Sequence, residues 1–400
     1  MMKPMNRNLW LLASCQALFL INNVTFLAIN GLVGLALAPL GWMATLPVMG
    51  YVVGGALSTG LVARTQKRWG RKTSFQLGLV VACGSAMLCL YAVLHSNFWL
   101  LCCATVIAGY YNANANLYRF AAAELSTLDN REKAVSLVMA GGLIGGIAGP
   151  NLANATRGLL DVPFAGAYVA LGFAALLSAA LLSFITFPPT PKSNSSASGR
   201  PLSVIMRQPV FVVAALAGAL GYGVMNLLMA ATPIAMQQCG LPFSDAALVL
   251  EWHVIGMFAP GFFTGHLIKR FGALPIMGIG LVLNLCCIAM ALSGVELQHF
   301  LVALCVLGVG WNFLFTGSTT LSLTAYAPEE KDKVQAALNF IIFATLAVSS
   351  FASGVLVTTQ GWALLHYGSL LPMAITAAAL LWLAASRRRT ARAAVAAGGQ

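Results

Sequence analysis

The chain has 400 residues, of which 59% are hydrophobic and 8% charged, with a mean hydropathy of +0.84 and a net charge of +12. Soluble domains carry roughly 25% charged residues, and this chain has too few to cover a water-exposed surface, which excludes a soluble globular enzyme or binding module. Spread over a soluble face, the positive charge would point to nucleic acid, but here it sits in short loops between apolar segments, and nucleic acid is not an expected partner.

A helix needs about 20 apolar residues to cross a bilayer. Twelve segments reach that length approximately: 9–36, 42–63, 74–95, 98–122, 134–156, 163–187, 209–235, 245–268, 273–294, 299–323, 334–357 and 362–386. The pattern predicts an all-α membrane protein with 12 transmembrane helices in two pseudo-symmetric six-helix bundles, 1–187 and 209–386. A basic tail follows at 387–400. The first segment follows Lys3 and Arg7 and has the flank of a signal peptide. It is too long for one and another span follows at once, so it reads as an uncleaved anchor. Between the bundles, 188–208 opens with proline, serine and small residues from Pro188 to Arg200, the composition of a flexible linker.

Positive charge is retained on the cytoplasmic side of a membrane. With the amino terminus inside, all of the 22 lysines and arginines except Arg119 and Arg157 fall on that side. Both termini are therefore expected to be cytoplasmic, in the inner (plasma) membrane of a bacterium. Nine cysteines, most of them within apolar stretches, read as small apolar side chains with no metal-ligand spacing.

Two phrases recur about half a chain apart. Gly60 to Arg64, closing on Trp69-Gly70-Arg71-Lys72, is echoed by Gly265 to Gly272, which contains Lys269 and Arg270. Asp129 to Lys133 is echoed by Glu329 to Lys333. A duplicated bundle with a seam between its halves is a transporter layout.

The Gly60–Lys72 pattern resembles the signature loop between the second and third helices of the major facilitator superfamily, which has a degenerate copy between helices eight and nine. By segment count the likeness covers the whole chain. Where the family usually has an aspartate four residues after the first glycine, this chain has Arg64 and Lys269. The run from Gly141 to Asn151, with Gly145, Gly149 and Pro150, resembles the glycine-proline motif on helix five of the family's drug–proton antiporters, although Ala153-Asn154 replaces its final glycine pair. The family's helix-four arginine, four residues before a glycine, corresponds here to Thr105 before Gly109. The resemblance implies a secondary transporter whose two bundles rock about a shared cavity to export a small organic solute against protons. The helix-four departure keeps the alternative of proton-coupled uptake of a vitamin-like or chelator solute.

Charges within a bilayer cost about 2.5–3.5 kcal/mol on insertion scales, so Arg119, Glu124, Glu251 and His253 are candidates for function. Asn112, Asn116 and Arg119 recur at i, i+4 and i+7 and share one helix face. They form either a cavity wall where Arg119 attracts an anionic group, or a structural hydrogen-bond network. Glu251, about two turns into helix eight, is expected to have a raised pKa and to carry the coupling proton; the alternative is a carboxylate at the outer rim or permanently paired. His253 lies about 200° round that helix and is a second proton-handling candidate. Asn22, beside Gln16 and Asn23, together with Tyr222, Asn226, Trp311, Asn312 and Thr316, are expected to line a site for a moderately polar, partly flat organic solute.

Gly145, Gly149 and Pro150 are expected to give tight but yielding contact between the halves, or plain small-residue packing between helices, or both. In the signature loops, Gly60 and Gly265 are expected to end their helices, with Gly70 and Gly272 nearby. Arg64, Arg71, Lys269 and Arg270 would then reach helix ends or acidic partners such as Glu124 or Asp129. No phosphate-binding loop of the Gly-Lys-Ser/Thr type occurs, and apart from segment 245–268, where Asp245 stands at the edge and Glu251 within, no span holds two acidic residues. The expectation is a monomer in the lipid bilayer that uses protons and a small-molecule substrate, needs no cofactor or metal and is not an enzyme.

Overall fold

The structure, a computed structural model, describes residues 6–127, 131–187, 199–327 and 330–398, and among these it is helical without strands. The first half contains α1 (Arg7–Leu37), α2 (Leu46–Leu94), α3 (Phe98–Ala115), α4 (Tyr118–Glu124), α5 (Arg131–Thr156) and α6 (Ala165–Ser183). The second contains α7 (Leu202–Met206), α8 (Pro209–Gln238), α9 (Phe243–Phe258), α10 (Gly261–Phe271), α11 (Ala273–Ser293), α12 (Leu297–Ser322), α13 (Lys331–Thr359) and α14 (Gly361–Gly398). Long apolar runs make these helices, and side chains set where some begin. Asn6 accepts from the Asn8 amide at 3.1 Å and Asn97 from the Leu100 amide at 3.0 Å, so each satisfies an N–H that the helix cannot.

Among the described residues, ten helices are long and apolar enough to cross a membrane, against the twelve spans expected from sequence. The difference arises at two places. Segments 42–63 and 74–95 lie in one continuous stretch, Gly41–Leu94, bent where Gly70 leaves helical geometry. Segment 98–122 is interrupted between Ala115 and Tyr118, and Asn112 and Asn114 dilute the apolar character of α3.

The first signature loop turns at Gly70 (φ 80°, ψ 169°) and the second at Gly272 (φ 88°, ψ 161°). Both angles fall in a region open essentially to glycine. Gly60 and Gly265, expected to end their helices, instead lie inside α2 and α10. A Cβ at either position would meet nothing within 4 Å, so neither the turn nor close packing depends on them. The likeness extends one step upstream: Arg68 lies over Trp69 at 5.6 Å and Arg270 over Phe271 at 5.1 Å. Of the second echo, Asp129 and Glu329 lie outside the described residues, as do linker residues 188–198.

The chain divides into two compact units. One comprises Met1–Ser193, Leu227–Ile255 and Ala347–Trp362, so it takes in the first six helices with the later part of α8, most of α9 and the end of α13. Within it, the Thr45 hydroxyl donates to the Ser350 carbonyl at 2.6 Å and accepts from the Gly354 amide at 3.0 Å. Trp42 meets Phe351 edge to face at 5.9 Å.

The other unit comprises Asn194–Asn226, Gly256–Leu346 and Ala363–Gln400. Its first described residues, the last of the linker segment 188–208, are anchored. Ile205 on α7 is fully buried with Phe211, Ala215, Ala325 and Val334. Glu330, 2% exposed, accepts from the Arg200 backbone N–H (2.7 Å), Nε (2.9 Å) and Nη2 (2.7 Å) and from the Ala327 amide (3.0 Å). Burying apolar surface and satisfying a carboxylate from four donors fixes 199–208 in place.

Candidate functional site

In the second unit two of the residues expected to bind solute, Tyr222 and Trp311, meet in an aromatic cluster. Tyr222 of α8 stands edge-on to Trp311 at 5.1 Å and to Phe315 at 5.2 Å, both on α12. Trp311 and Phe315, one turn apart, lie nearly parallel at 5.1 Å and 11°. Phe315 was not among the sequence candidates; its i+4 spacing from Trp311 was the signal available. Trp311 is buried at 7% exposed, whereas Tyr222 and Phe315 are half-buried. Among the described residues, nothing accepts a hydrogen bond from the Trp311 Nε1.

The neighbouring amides differ in what they do. Asn312 accepts from the Thr264 hydroxyl at 2.7 Å and donates to the Met257 carbonyl at 2.7 Å. Both ends of its amide are thus engaged in holding α12 to the break between α9 and α10, so packing accounts for this asparagine. Asn226 is buried, with its amide 3.4 Å from the Leu346 carbonyl. Thr316 is half-buried one turn after Asn312.

In the first unit Asn22 is buried on α1 and Asn23 donates to the Tyr51 hydroxyl at 3.0 Å. Asn116 Nδ2 donates to Asn112 Oδ1 at 2.9 Å, the i, i+4 relation expected from spacing. Arg119 does not continue that face along one helix, because α3 ends at Ala115 and α4 begins at Tyr118. It is exposed, with its guanidinium over Phe120 at 4.9 Å. Sequence reasoning passed over Asn114, which is fully buried and accepts from Ser74 at 2.9 Å; Ser74 in turn bonds Thr65 at 2.9 Å across the Gly70 bend.

Glu251 has a partner: Asn151, next to Pro150 on α5, donates Nδ2 to Glu251 Oε2 at 2.9 Å. His253 is fully buried. The glycine stripe of α5 serves the second of the contacts expected of it, packing between helices. A Cβ on Gly145 would collide with the Ala17 carbonyl of α1, and one on Gly149 would stand 3.1 Å from the Ile21 carbonyl, so the stripe joins two helices of the same half. Gly146, one residue along, faces Val254 of α9.

Of the loop charges expected to reach helix ends or acidic partners, Arg71 forms an ion pair with Glu124; its neighbour Lys72 donates to the Ser183 carbonyl at 2.6 Å. Both contacts lie inside the first unit, tying α2 to α4 and α6. Arg64, Lys269 and Arg270 are exposed. Arg157 was noted from sequence as an exception to the charge rule. It stacks on Phe164 at 5.4 Å and Phe243 at 5.8 Å, and the two rings meet edge to face at 4.8 Å.

Outside the spans, the Arg200 guanidinium and the Ala327 amide hold the Glu330 carboxyl down from its ordinary 4.5 to about 2.

The chain is 37% identical over 364 residues to the riboflavin transporter RfnT of Brucella anthropi, covering 90% of this chain and 92% of that one. It is 27% identical to YdeG of Bacillus subtilis, an uncharacterised transporter of the major facilitator type, over 80% of this chain and 78% of that one. The fold matches the crystal structure of a bacterial homologue of the human lysosomal transporter Spinster in an inward-facing, occupied conformation. The TM-score is 0.75 at 16% identity, covering 95% and 96% of the two chains. The Major Facilitator Superfamily profile matches residues 9–259 and 214–399. With signature loops that both turn on glycine and a family profile that covers the chain in two overlapping matches, the chain belongs to the major facilitator superfamily of membrane transporters.

Proposed function

We propose that this protein is a secondary transporter that takes up riboflavin, or a solute with the same flat tricyclic ring, across the bacterial plasma membrane in symport with protons. The observation that carries the reading is the aromatic cluster of Tyr222, Trp311 and Phe315 in a chain 37% identical to a riboflavin transporter. Stacked and edge-on rings favour a planar aromatic ligand, and the half-buried rims of Tyr222 and Phe315 leave ring surface for it. Riboflavin is neutral at physiological pH, so a cationic anchor such as Arg119 is not required.

Twelve crossings in two six-helix bundles, with both termini cytoplasmic, accommodate this reading. The 49 residues of α2 would extend about 75 Å at 1.5 Å per residue. A hydrocarbon core of about 30 Å needs that stretch to cross twice, bending at Gly70. Uptake is favoured over export because the glycine-proline run that suggested an antiporter is accounted for by packing on α1. The protein acts as a monomer, and Glu251 with its Asn151 partner carries the proton.

Proteoliposomes under an inward proton gradient test this reading. Riboflavin accumulates with the protons, and a riboflavin-requiring bacterium expressing the protein grows on micromolar vitamin. Riboflavin moving against the proton flow would replace uptake with export, and no riboflavin movement at all would discard the substrate.

A further inference from the structure

We propose that the indole N–H of Trp311 is the specificity-determining donor of the solute site, reading a ring carbonyl of the flavin's uracil-like edge. The inference rests on the riboflavin reading given above and assigns one polar contact within it. A buried indole N–H ordinarily finds an acceptor, because leaving it unpaired forfeits the hydrogen bond it had with water. Here the side chain is 7% exposed and Nε1 has no acceptor among the described residues.

The packing explains why the protein does not supply one. Phe315 covers Trp311 in a near-parallel stack and Tyr222 closes on both from α8. The amide next along α12, that of Asn312, is committed to Thr264 and Met257. The result is a neutral donor without an acceptor, set among aromatic rings. Such a site suits a neutral acceptor fixed to a flat ring, since an anion would lose its hydration without gaining a countercharge from these groups. The isoalloxazine ring has that chemistry: one edge carries two carbonyls in plane with the surface that would stack, and the ribityl chain leaves from another edge.

The experiment measures dissociation constants for three flat ligands. Riboflavin and lumichrome share the two ring carbonyls, whereas acridine has the tricyclic shape and no carbonyl. Trp311→Phe keeps an aromatic ring and removes the donor. A hydrogen bond of ordinary net strength corresponds to a weakening of roughly tenfold. That loss is expected for riboflavin and lumichrome, with acridine unchanged. Equal loss for all three ligands, or none for riboflavin, overturns the assignment and leaves the riboflavin reading standing. Wild-type protein that binds neither riboflavin nor lumichrome overturns both.

The unsubstituted protein provides a measurement that does not depend on the variant folding. A thiocarbonyl accepts hydrogen bonds weakly, so either 2-thioriboflavin or 4-thioriboflavin is expected to bind several-fold more weakly than the other, identifying the carbonyl that is read. Equal binding of both thio-analogues and riboflavin overturns the proposal.

Discussion

Asn151 and Glu251 join α5 to α9 through one hydrogen bond, Nδ2 to Oε2 at 2.9 Å, and the same Nδ2 lies 2.8 Å from the Ile147 carbonyl one turn back. The amide donates to the carboxylate best when Glu251 is ionised, so taking up a proton loosens the tie between the two helices. Glu251→Gln holds the site in a neutral form of nearly the same shape. It is expected to abolish riboflavin accumulation driven by a proton gradient while riboflavin–riboflavin exchange across proteoliposomes continues. Gradient-driven accumulation at the wild-type level in this variant removes Glu251 from the coupling mechanism.

Gly70→Ala and Gly272→Ala each force a side chain into backbone geometry that only glycine adopts readily, a cost of about 1–3 kcal/mol. Gly60→Ala and Gly265→Ala meet no neighbour, and alanine raises helix propensity by up to about 1 kcal/mol. Thermal unfolding in detergent is expected to place the first pair below wild type and the second at or above it. Equal losses at all four positions would contradict the assignment of the turns.

Arg157 between Phe164 and Phe243 gives a coupling that a double-mutant cycle can read. A partly exposed cation–π contact contributes about 0.5–1 kcal/mol. Arg157→Ala and Phe243→Ala together should therefore cost less than the sum of the two single changes by that amount, measured by chemical denaturation. Strict additivity would mean that the stacking contributes nothing to stability.

The Glu330 carboxyl is lowered from 4.5 to about 2 in the folded state. A depressed folded value means that its contribution to stability is fully present above about pH 4.5 and is lost as pH falls toward 2. Glu330→Gln should lower the melting temperature at pH 7 and flatten the acid limb of the stability profile. An unchanged acid limb would show that the Arg200 clasp does not stabilise the folded state.

Much of the helical layout was legible in the sequence because lipid imposes one simple demand, long apolar runs punctuated by charged turns. The signature loops were legible as motifs, but the position of their turns was not. Nothing in composition separates Gly60 from Gly70, whereas the backbone does, through a positive φ at Gly70. The aromatic pair Tyr222 and Trp311 could be selected by residue type, and Phe315 could have been added by spacing. The roles of Asn312 and Asn151 were hidden because an amide reads the same in sequence whether it faces a solute or another helix. Their partners Thr264, Met257 and Glu251 lie 48 to 100 positions away. The anchoring of residues 199–208 was hidden because the burial of Ile205 and the donors around Glu330 come from distant parts of the chain.

Thr45 both gives and receives a hydrogen bond at the far end of α13, at Ser350 and Gly354. Any excursion that parts these ends must break both bonds together, at about 1 kcal/mol net for each. If water takes their place only after the ends separate, this expense falls on the barrier between states more than on the states themselves. On that condition Thr45 would act as a pacemaker, and Thr45→Val would change how often the carrier turns over while leaving the strength of its grip on cargo untouched.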